Sequence, residues 1–428
     1  MSAAPTPVGP ADGQGLARTC PTSPGVDLSW EDIGCFLLLL AGLQLVAGPT
    51  TRLGEWSVDA ATNVAFAEAL AWHDGRLDIP RRVHDSAIFQ DRVYNINPPL
   101  FTLVCYSAVW FSRLLGERTD IFYPFWYVLV VAVPLPFVAY GCFARLTQRP
   151  PWAALLAAAW ILGSPILPAL AAAREGGISH INHLLSQAGL MLVAGSLLVG
   201  ARLRWSLVGL LWAAWSRPLT ILYVLPIAVA AWKGPAAMRG RRLAATLTAT
   251  TLALALPMTL NHLKFGSPLE TGYRYLYEGR QDELARQGRE ALFSLRFAGR
   301  NAWYMNVEPP GFEAGPSGLR PKVDPHGASI WLTMPILLFV WLDARSWLGD
   351  SNKRNLMLAS FLVAAGLLCF HNTGYVQPGY YRFALDFVPI WLAVIAQGTD
   401  RGLQHRRLTI AAAVWSMLYF NLVTRMYA

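Results

Sequence analysis

Long apolar stretches alternate with shorter polar links along most of the chain. Several stretches approach the roughly 20 residues that a helix needs to cross about 30 Å of hydrocarbon. Only helices and closed barrels satisfy all backbone groups in lipid, and these stretches are too long for barrel strands. The pattern therefore predicts an all-α polytopic membrane protein. We expect about eleven transmembrane helices, at 33–48, 121–143, 152–172, 183–200, two short helices within 205–232, 243–260, 328–343, 355–370, 382–398 and 408–425.

Two long polar segments, 49–97 and 261–327, interrupt this pattern. The first contains an amphipathic helical pattern from Ser57 to Gly75. A further apolar run, from Asn97 to Gly116, suits either a transmembrane span or a helix that lies in the membrane interface. The segment from 205 to 232 is predicted to break at Arg217 and Pro218, because proline removes a helix hydrogen bond.

Arg and Lys cluster in five of the polar links, and such links face the cytoplasm in most membrane proteins. With a cytoplasmic N-terminus, all five are cytoplasmic only if 97–116 does not cross, so we predict that it forms an interfacial or re-entrant helix on the outer face. The N-terminus is then cytoplasmic, the C-terminus is extracytoplasmic, and both long polar segments lie outside. The clusters are Arg145 with Arg149, Arg202 with Arg204, Lys233 with Arg239, Arg241 and Arg242, Arg345 with Lys353 and Arg354, and Arg401 with Arg406 and Arg407.

The composition agrees with a membrane protein, since 54% of residues are apolar and 14% are charged, and we expect it in the cell (plasma or inner) membrane. The net charge of +9 comes from the scattered basic links, so it indicates topology and no nucleic-acid partner. Five cysteines show no paired or metal-type spacing, and the sequence indicates no cofactor; a divalent cation is compatible with it but not indicated. Residues 1–28 are predicted to be a disordered tail, followed by a membrane domain over 29–428.

Ionisable residues in or near membrane spans are candidates for function, because burying a charge in lipid is costly. Asp59 follows the first span; it is either an ordinary acid at a helix start or a general base. Two arginines are further candidates: Arg217 at the predicted helix break and Arg382 at the start of a span. Each either extends its side chain to the membrane–water interface or binds a phosphate.

Two further tracts carry polar residues on the predicted outer side. The link AAAREGGISHINH contains Glu175, His180 and His183, and two histidines three residues apart suit a metal or, more simply, ordinary hydrogen bonds. The tract QDRVYNINPPLF contains Arg92, Tyr94 and Asn97 before a Pro-Pro helix start, which is itself a common structural device.

Four tracts together resemble the GT-C superfamily of membrane glycosyltransferases, specifically bacterial mannosyltransferases and members of the dolichyl-phosphate-mannose type. The resemblance extends over nearly the whole chain from Trp30 onward, and the ordered set is more specific than any one motif. The tracts are VDAATNVAFAEALAWHDGRLDIP with VYNINPPL, AAWSRPLTILYVLP, NHLKFGSPLETGY and PGYYRFALDFVPIWL.

The resemblance implies an enzyme that transfers a sugar from a polyprenyl-phosphate carrier to an acceptor on the extracytoplasmic side, with inversion. Asp59 matches the family's acid after the first span, and Arg217 and Arg382 match basic positions that contact the lipid phosphate. Many relatives have Lys where this chain has Asn97, so Arg92 is a candidate replacement. Glu175 and His183 stand nearest to an Asp that relatives carry in the second outer loop.

Two other classes remain open from the sequence. One is a lipid or saccharide transporter, or a non-enzymatic scaffold with the same architecture. The other is a different cell-envelope enzyme, such as a polysaccharide polymerase or ligase, which shares the lipid-phosphate leaving group. The sugar, the acceptor (glycan, lipid or protein), any need for metal and the oligomeric state are not determined by the sequence.

Overall fold

The structure is a computed structural model, and it is mostly helical. It describes residues 29, 31–35, 37, 58–72, 75–80, 86–114, 134–174, 181–275, 293–315, 318–322, 326–371, 379–398 and 405–425. The predicted tail (1–28) and the predicted span at 33–48 fall largely outside these residues, as does the first half of the predicted span at 121–143.

The helices follow one another along the chain with short 3-10 turns between some of them. The α-helices are α1 (Val58–Trp72), α2 (Pro99–Leu114), α3 (Pro134–Thr147), α4 (Pro150–Ile161), α5 (Ile166–Arg174), α6 (Ile181–Val199), α7 (Leu203–Ser216), α8 (Val224–Trp232), α9 (Ala236–Phe265), α10 (Ala298–Asn306), α11 (Ile330–Thr333), α12 (Phe339–Leu342), α13 (Ala344–Gly349), α14 (Ser351–Leu368), α15 (Val388–Gln397) and α16 (Arg406–Arg425). The 3-10 helices are Pro218–Tyr223, Tyr273–Tyr275, Leu295–Phe297, Pro335–Leu338 and Arg382–Asp386.

Three helices within the described residues, α6, α9 and α16, are long and apolar enough to cross a membrane. They match the predicted spans at 183–200, 243–260 and 408–425. A fourth helix, α14, covers most of the predicted span at 355–370. The helical, membrane-type character predicted from the apolar pattern is therefore confirmed, while the number of eleven spans stays a prediction.

Three other predicted spans are not continuous helices, and each contains proline. The span at 152–172 divides into α4, which ends at Ile161, and α5, which begins directly after Pro165. The span at 328–343 divides into α11, a 3-10 turn that begins at Pro335, and α12. The span at 382–398 begins as a 3-10 turn before α15, whose first turn holds Pro389. The missing N–H and the fixed φ of proline explain why these apolar stretches do not form single helices.

The predicted break between Arg217 and Pro218 is confirmed, because α7 ends at Ser216 and a 3-10 turn starts at Pro218. The helix expected within 97–116 is α2, and its placement in the membrane interface stays a prediction.

The helix predicted from Ser57 to Gly75 is present as α1, but its expected amphipathic character is wrong. Every residue from Thr62 to Ala67 is buried, so the described middle of α1 is enclosed on all sides. Its small Ala, Thr and Asn side chains allow neighbouring elements to pack closely on faces that the polar pattern assigned to solvent.

The all-α prediction also missed two antiparallel hairpins in the long polar segments. In the first, β1 (Ser86–Phe89) pairs with β2 (Arg92–Asn95) around the turn residues Gln90 and Asp91, whose φ angles of 51° and 60° suit a two-residue hairpin turn. In the second, β3 (Phe312–Gly315) pairs with β4 (Gly318–Pro321). Four-residue strands are too short to give a clear alternating pattern in the sequence.

Helices α6 and α7 cross at two glycines. A Cβ atom added to Gly189 would lie 2.6 Å from the carbonyl oxygen of Gly209, and one added to Gly209 would lie 2.5 Å from that of Gly189. Small residues permit this approach of two backbones, as in other membrane helix pairs. The hydroxyls of Ser196 and Ser206 lie 2.5 Å apart and join the same two helices. The pair is therefore a tightly packed unit that leads to Arg217.

We expect Gly209→Ala to lower the free energy of unfolding by about 1–3 kcal/mol, because the added methyl group overpacks the crossing of α6 and α7. Thermal unfolding in detergent micelles measures this change. Gly141→Ala in α3 is the matched control, since an added Cβ there meets nothing within 4 Å. Equal melting temperatures for the two variants would contradict the close contact.

Candidate anion-binding site

Arg217 and Asp386 form a buried ion pair between the end of α7 and the turn before α15. Nε of Arg217 donates to Oδ1 and Oδ2 of Asp386 at 3.1 and 3.0 Å, and Nη2 donates to Oδ2 at 2.9 Å. The Asp386 side chain is fully buried, whereas 21% of the Arg217 side chain is exposed. Arg217 has an extended backbone (φ −139°, ψ 95°), which the following proline favours. The helix break thus places a cation beside a buried carboxylate.

His183, in the first turn of α6, is a second partner of Asp386. Its Nδ1 lies 3.2 Å from Oδ1 of Asp386, and the ring is 2% exposed. Two hydrogen bonds hold the backbone of the turn that contains Asp386. Gln187 donates to the carbonyl oxygen of Leu385 at 2.8 Å, and the Tyr223 hydroxyl donates to the carbonyl oxygen of Asp386 at 3.0 Å. The carboxylate is therefore fixed against both α6 and the segment after α7.

The ring of Phe383 lies against three charged or titratable groups. The guanidinium carbons of Arg217 and Arg382 lie 5.4 and 5.5 Å from the ring centroid, and the His183 ring lies at 5.8 Å. Cations at this distance from an aromatic face are attracted to it. Asp386 balances the charge of Arg217, and Arg382 brings a second guanidinium to the same ring. The cluster is therefore suited to an anion.

Arg217 and Tyr381 each carry a hydrogen-bond donor that has no acceptor among the described residues. The hydrogen bonds of Arg217 to Asp386 use Nε and Nη2, and Nη1 has no acceptor within the described residues. The hydroxyl of Tyr381 is buried, and it too lacks a partner in the part of the chain that the structure describes. The Tyr381 ring packs edge-on against Phe383, with centroids 6.0 Å apart. A buried hydroxyl without a partner costs about 1–3 kcal/mol, so its presence here favours a ligand.

The structure brings three of the candidate residues together: His183, Arg217 and Arg382. Asp59 lies in the first turn of α1, and its side chain is not among the described ones, nor is any part of Glu175. The roles expected for these two acids stay predictions.

Arg92, Tyr94 and Asn97 belong to a different part of the molecule. Arg92 is exposed on β2, and Tyr94 is buried against Phe265, with ring centroids 5.5 Å apart. The backbone N–H of Asn97 donates to the Asn95 side chain at 2.8 Å. Within the described residues, no hydrogen bond or ring contact joins these three residues to Arg217.

Their neighbourhood contains a second buried polar cluster that the sequence did not reveal. The Asn95 side chain donates to Asn63 and Thr102, both at 3.1 Å. Nζ of Lys264, at the end of α9, donates to the carbonyl oxygen of Asn95 at 2.7 Å and lies 4.4 Å from the centroid of the Phe66 ring. Lys264 is only 5% exposed. The cluster ties the first hairpin and α1 to α2 and α9.

Sequence reasoning also missed Asp386 and Tyr381, although both lie in the tract that contains Arg382. An acidic residue inside an apolar span was the available signal, because a carboxylate in lipid needs a cation. Nothing in the sequence singled out the Tyr381 hydroxyl, which lacks a partner among the described residues, since tyrosines are common in the chain. The structure shows no group of three or more His, Cys, Asp or Glu that suits a metal ion among its described residues.

We expect Asp386→Ala to lower the free energy of unfolding by about 3–5 kcal/mol, because it leaves Arg217 without its buried counter-charge. The double variant Arg217→Met/Asp386→Leu should be more stable than this single variant, since it removes both charges. Thermal unfolding in one detergent compares them. Asp78→Ala is the control, because its ion pair with the 62%-exposed Arg76 should contribute only about 0–1 kcal/mol. A double variant no more stable than Asp386→Ala would contradict the coupling.

Comparison of the sequence with models of protein families and with curated proteins finds no match. Among solved structures, the chain is similar to the archaeal oligosaccharyltransferase AglB from Archaeoglobus fulgidus, solved in complex with an inhibitory peptide and a dolichol-phosphate, with a TM-score of 0.47 and 12% sequence identity. The likeness covers 93% of this chain and 56% of that protein. At these values it assigns no activity, so the function rests on the side chains and their surroundings.

Proposed function

We propose that the chain is an integral membrane glycosyltransferase that moves a sugar from a polyprenyl-phosphate carrier to an acceptor on the extracytoplasmic side. The observation that carries this proposal is the arrangement around Arg217: Asp386 holds one edge of the guanidinium, while Nη1 has no acceptor in the part of the chain that the structure describes. A planar guanidinium held in this way is suited to phosphate oxygens. The resemblance of four sequence tracts to GT-C enzymes supports the same proposal.

The proposed reaction is a single displacement at the anomeric carbon, which inverts its configuration. The acceptor hydroxyl forms the new glycosidic bond, the bond between the anomeric carbon and the carrier phosphate breaks, and the phosphate leaves with the bonding electrons. Asp59 takes the proton of the acceptor hydroxyl. Arg217 and Arg382 stabilise the negative charge that develops on the leaving phosphate.

Asp386 and His183 act through Arg217 in this proposal. The carboxylate accepts three hydrogen-bond contacts from the guanidinium, so the cation does not need to reorganise when the phosphate charge develops. Partial compensation by Asp386 also limits the cost of keeping Arg217 in apolar surroundings without a ligand. Tyr381 supplies a neutral donor, which is expected to bind a phosphate oxygen.

A transporter is the second candidate, because the same cluster contains a buried His–carboxylate pair. His183 and Asp386 are both nearly inaccessible and lie among helices, as the ionisable pairs of many proton-coupled transporters do. The two functions differ in product: a transferase makes a new glycosidic bond or releases sugar from its carrier, whereas a transporter moves an unchanged substrate across the membrane.

We expect the wild-type protein in lipid nanodiscs to release or transfer sugar from at least one of a panel of radiolabelled polyprenyl-phosphate sugars. Asp59→Asn should lose this activity, since its side chain cannot accept the proton, while it still binds the donor. The measurement is thin-layer separation of the labelled products. Equal activity of Asp59→Asn and wild type would remove Asp59 as the base. Movement of intact substrate across sealed vesicles without a new product would favour the transporter.

We expect Tyr381→Phe to lower kcat/KM for the donor about 10- to 100-fold, because it removes one hydrogen bond to a charged oxygen. Its melting temperature should not fall, since the hydroxyl has no partner among the described residues. Tyr419→Phe is the matched control: its hydroxyl donates to the Gly379 carbonyl, so this variant should lose stability. Unchanged kinetics in Tyr381→Phe would show that this hydroxyl does not contact the donor.

A further inference from the structure

A segment that consists of the 3-10 helix Leu295–Phe297 and the following helix α10 packs against the C-terminal end of α14. The Asn301 side chain donates to the carbonyl oxygens of Leu368 and Phe370 at 2.8 and 2.7 Å. The backbone N–H of Ser294 donates to the carbonyl oxygen of Cys369 at 2.7 Å. These bonds satisfy backbone carbonyls that the end of a helix leaves without partners. The segment is therefore fixed at the terminus of an apolar helix, about 27 Å from its other end.

Two arginines of this segment stand over one buried ring. The guanidinium carbons of Arg296 and Arg300 lie 4.6 and 5.9 Å from the centroid of Phe297. Arg300 also donates to the carbonyl oxygen of His371 at 2.9 Å. Neither arginine forms an ion pair with any carboxylate that the structure describes. Both side chains are exposed, so two positive charges lie near one ring at the surface without a described counter-charge.

Three large apolar side chains within a few residues of these arginines along the chain are also exposed. Leu295 is 83% exposed, Trp303 is 52% exposed and Phe293 is 50% exposed. The indole N–H of Trp303 donates to Glu308 at 2.5 Å, so its polar edge is satisfied while the ring stays accessible. Apolar and aromatic side chains next to arginines are typical of segments that lie at the level of lipid headgroups.

We propose that this surface, formed by Phe293, Leu295, Arg296, Arg300 and Trp303, binds an anionic phospholipid of the leaflet at that end of α14. The lipid phosphate bridges the two guanidinium groups, and the acyl chains cover the exposed apolar side chains. Charge and apolar area together favour a lipid: a soluble anion would leave Leu295 in water, and a neutral lipid would leave both arginines without a counter-charge.

The surface is also continuous with the candidate site. Phe293 packs on Phe370 with centroids 5.2 Å apart, and Phe370 packs edge-on against Phe383 at 5.7 Å. Phe383 is the ring that lies against Arg217. A bound phospholipid would therefore order the aromatic row that leads to the candidate site, although its binding does not depend on the proposed reaction.

The test is native mass spectrometry of the full chain in mixed micelles with phosphatidylglycerol, or with phosphatidylcholine of the same acyl chains. We expect the wild type to retain phosphatidylglycerol preferentially. Arg296→Gln/Arg300→Gln should bind it about thirtyfold more weakly, which corresponds to about 2 kcal/mol. Arg296→Lys/Arg300→Lys keeps the charge and should retain more lipid than the glutamine variant. Arg76→Gln is the control, because Arg76 is exposed but already paired with Asp78.

Three outcomes would overturn the proposal. The first is equal retention of phosphatidylglycerol by the wild type and the glutamine variant. The second is equal retention of the two lipids by the wild type, which would leave no role for charge. The third is displacement of the lipid by inorganic phosphate alone, which would identify a free anion as the ligand. None of these outcomes bears on sugar transfer, which is measured separately.

Discussion

The buried carboxylate of Asp386 is the group on which the arrangement of the candidate site depends. Its contacts with Arg217 and His183 join residues 169 and 203 positions away in the chain. Removal of a charge from water is costly, and the cost is offset only when a partner is held at hydrogen-bonding distance. The ends of α6 and α7 are thereby fixed relative to the turn before α15, and so are the groups around Phe383.

Long-range pairing of this kind is the part that the sequence could not predict. Apolar length predicted α6, α9 and α16 well, because membrane thickness sets a simple requirement that each helix meets alone. The break at Arg217 was equally local, since it follows from Pro218. Asp386, Tyr381 and Lys264 gain their significance from partners on distant elements, and no spacing along one chain reports such contacts.

The prediction for α1 failed because tertiary packing replaced solvent around it. The polar and small residues in the middle of α1 predicted an exposed face, yet Asn63 lies inside a cluster with Asn95 and Thr102. Among the buried polar clusters of the described side chains, one surrounds Asp386 and another surrounds Asn95. The first contains a carboxylate that compensates a cation. In the second, Lys264 has a carbonyl oxygen and an aromatic ring as partners.

The backbone contact between Gly189 and Gly209 has a mechanical consequence for the two arginines. Because α6 and α7 have no space to slide past each other, Arg217 moves only together with these two helices. Arg382 belongs to a 3-10 turn, whose hydrogen bonds are weaker than those of an α-helix. The turn is itself tied to α6 and α7 through Leu385 and Asp386, so a ligand that contacts both arginines would be accommodated by the long side chain of Arg382.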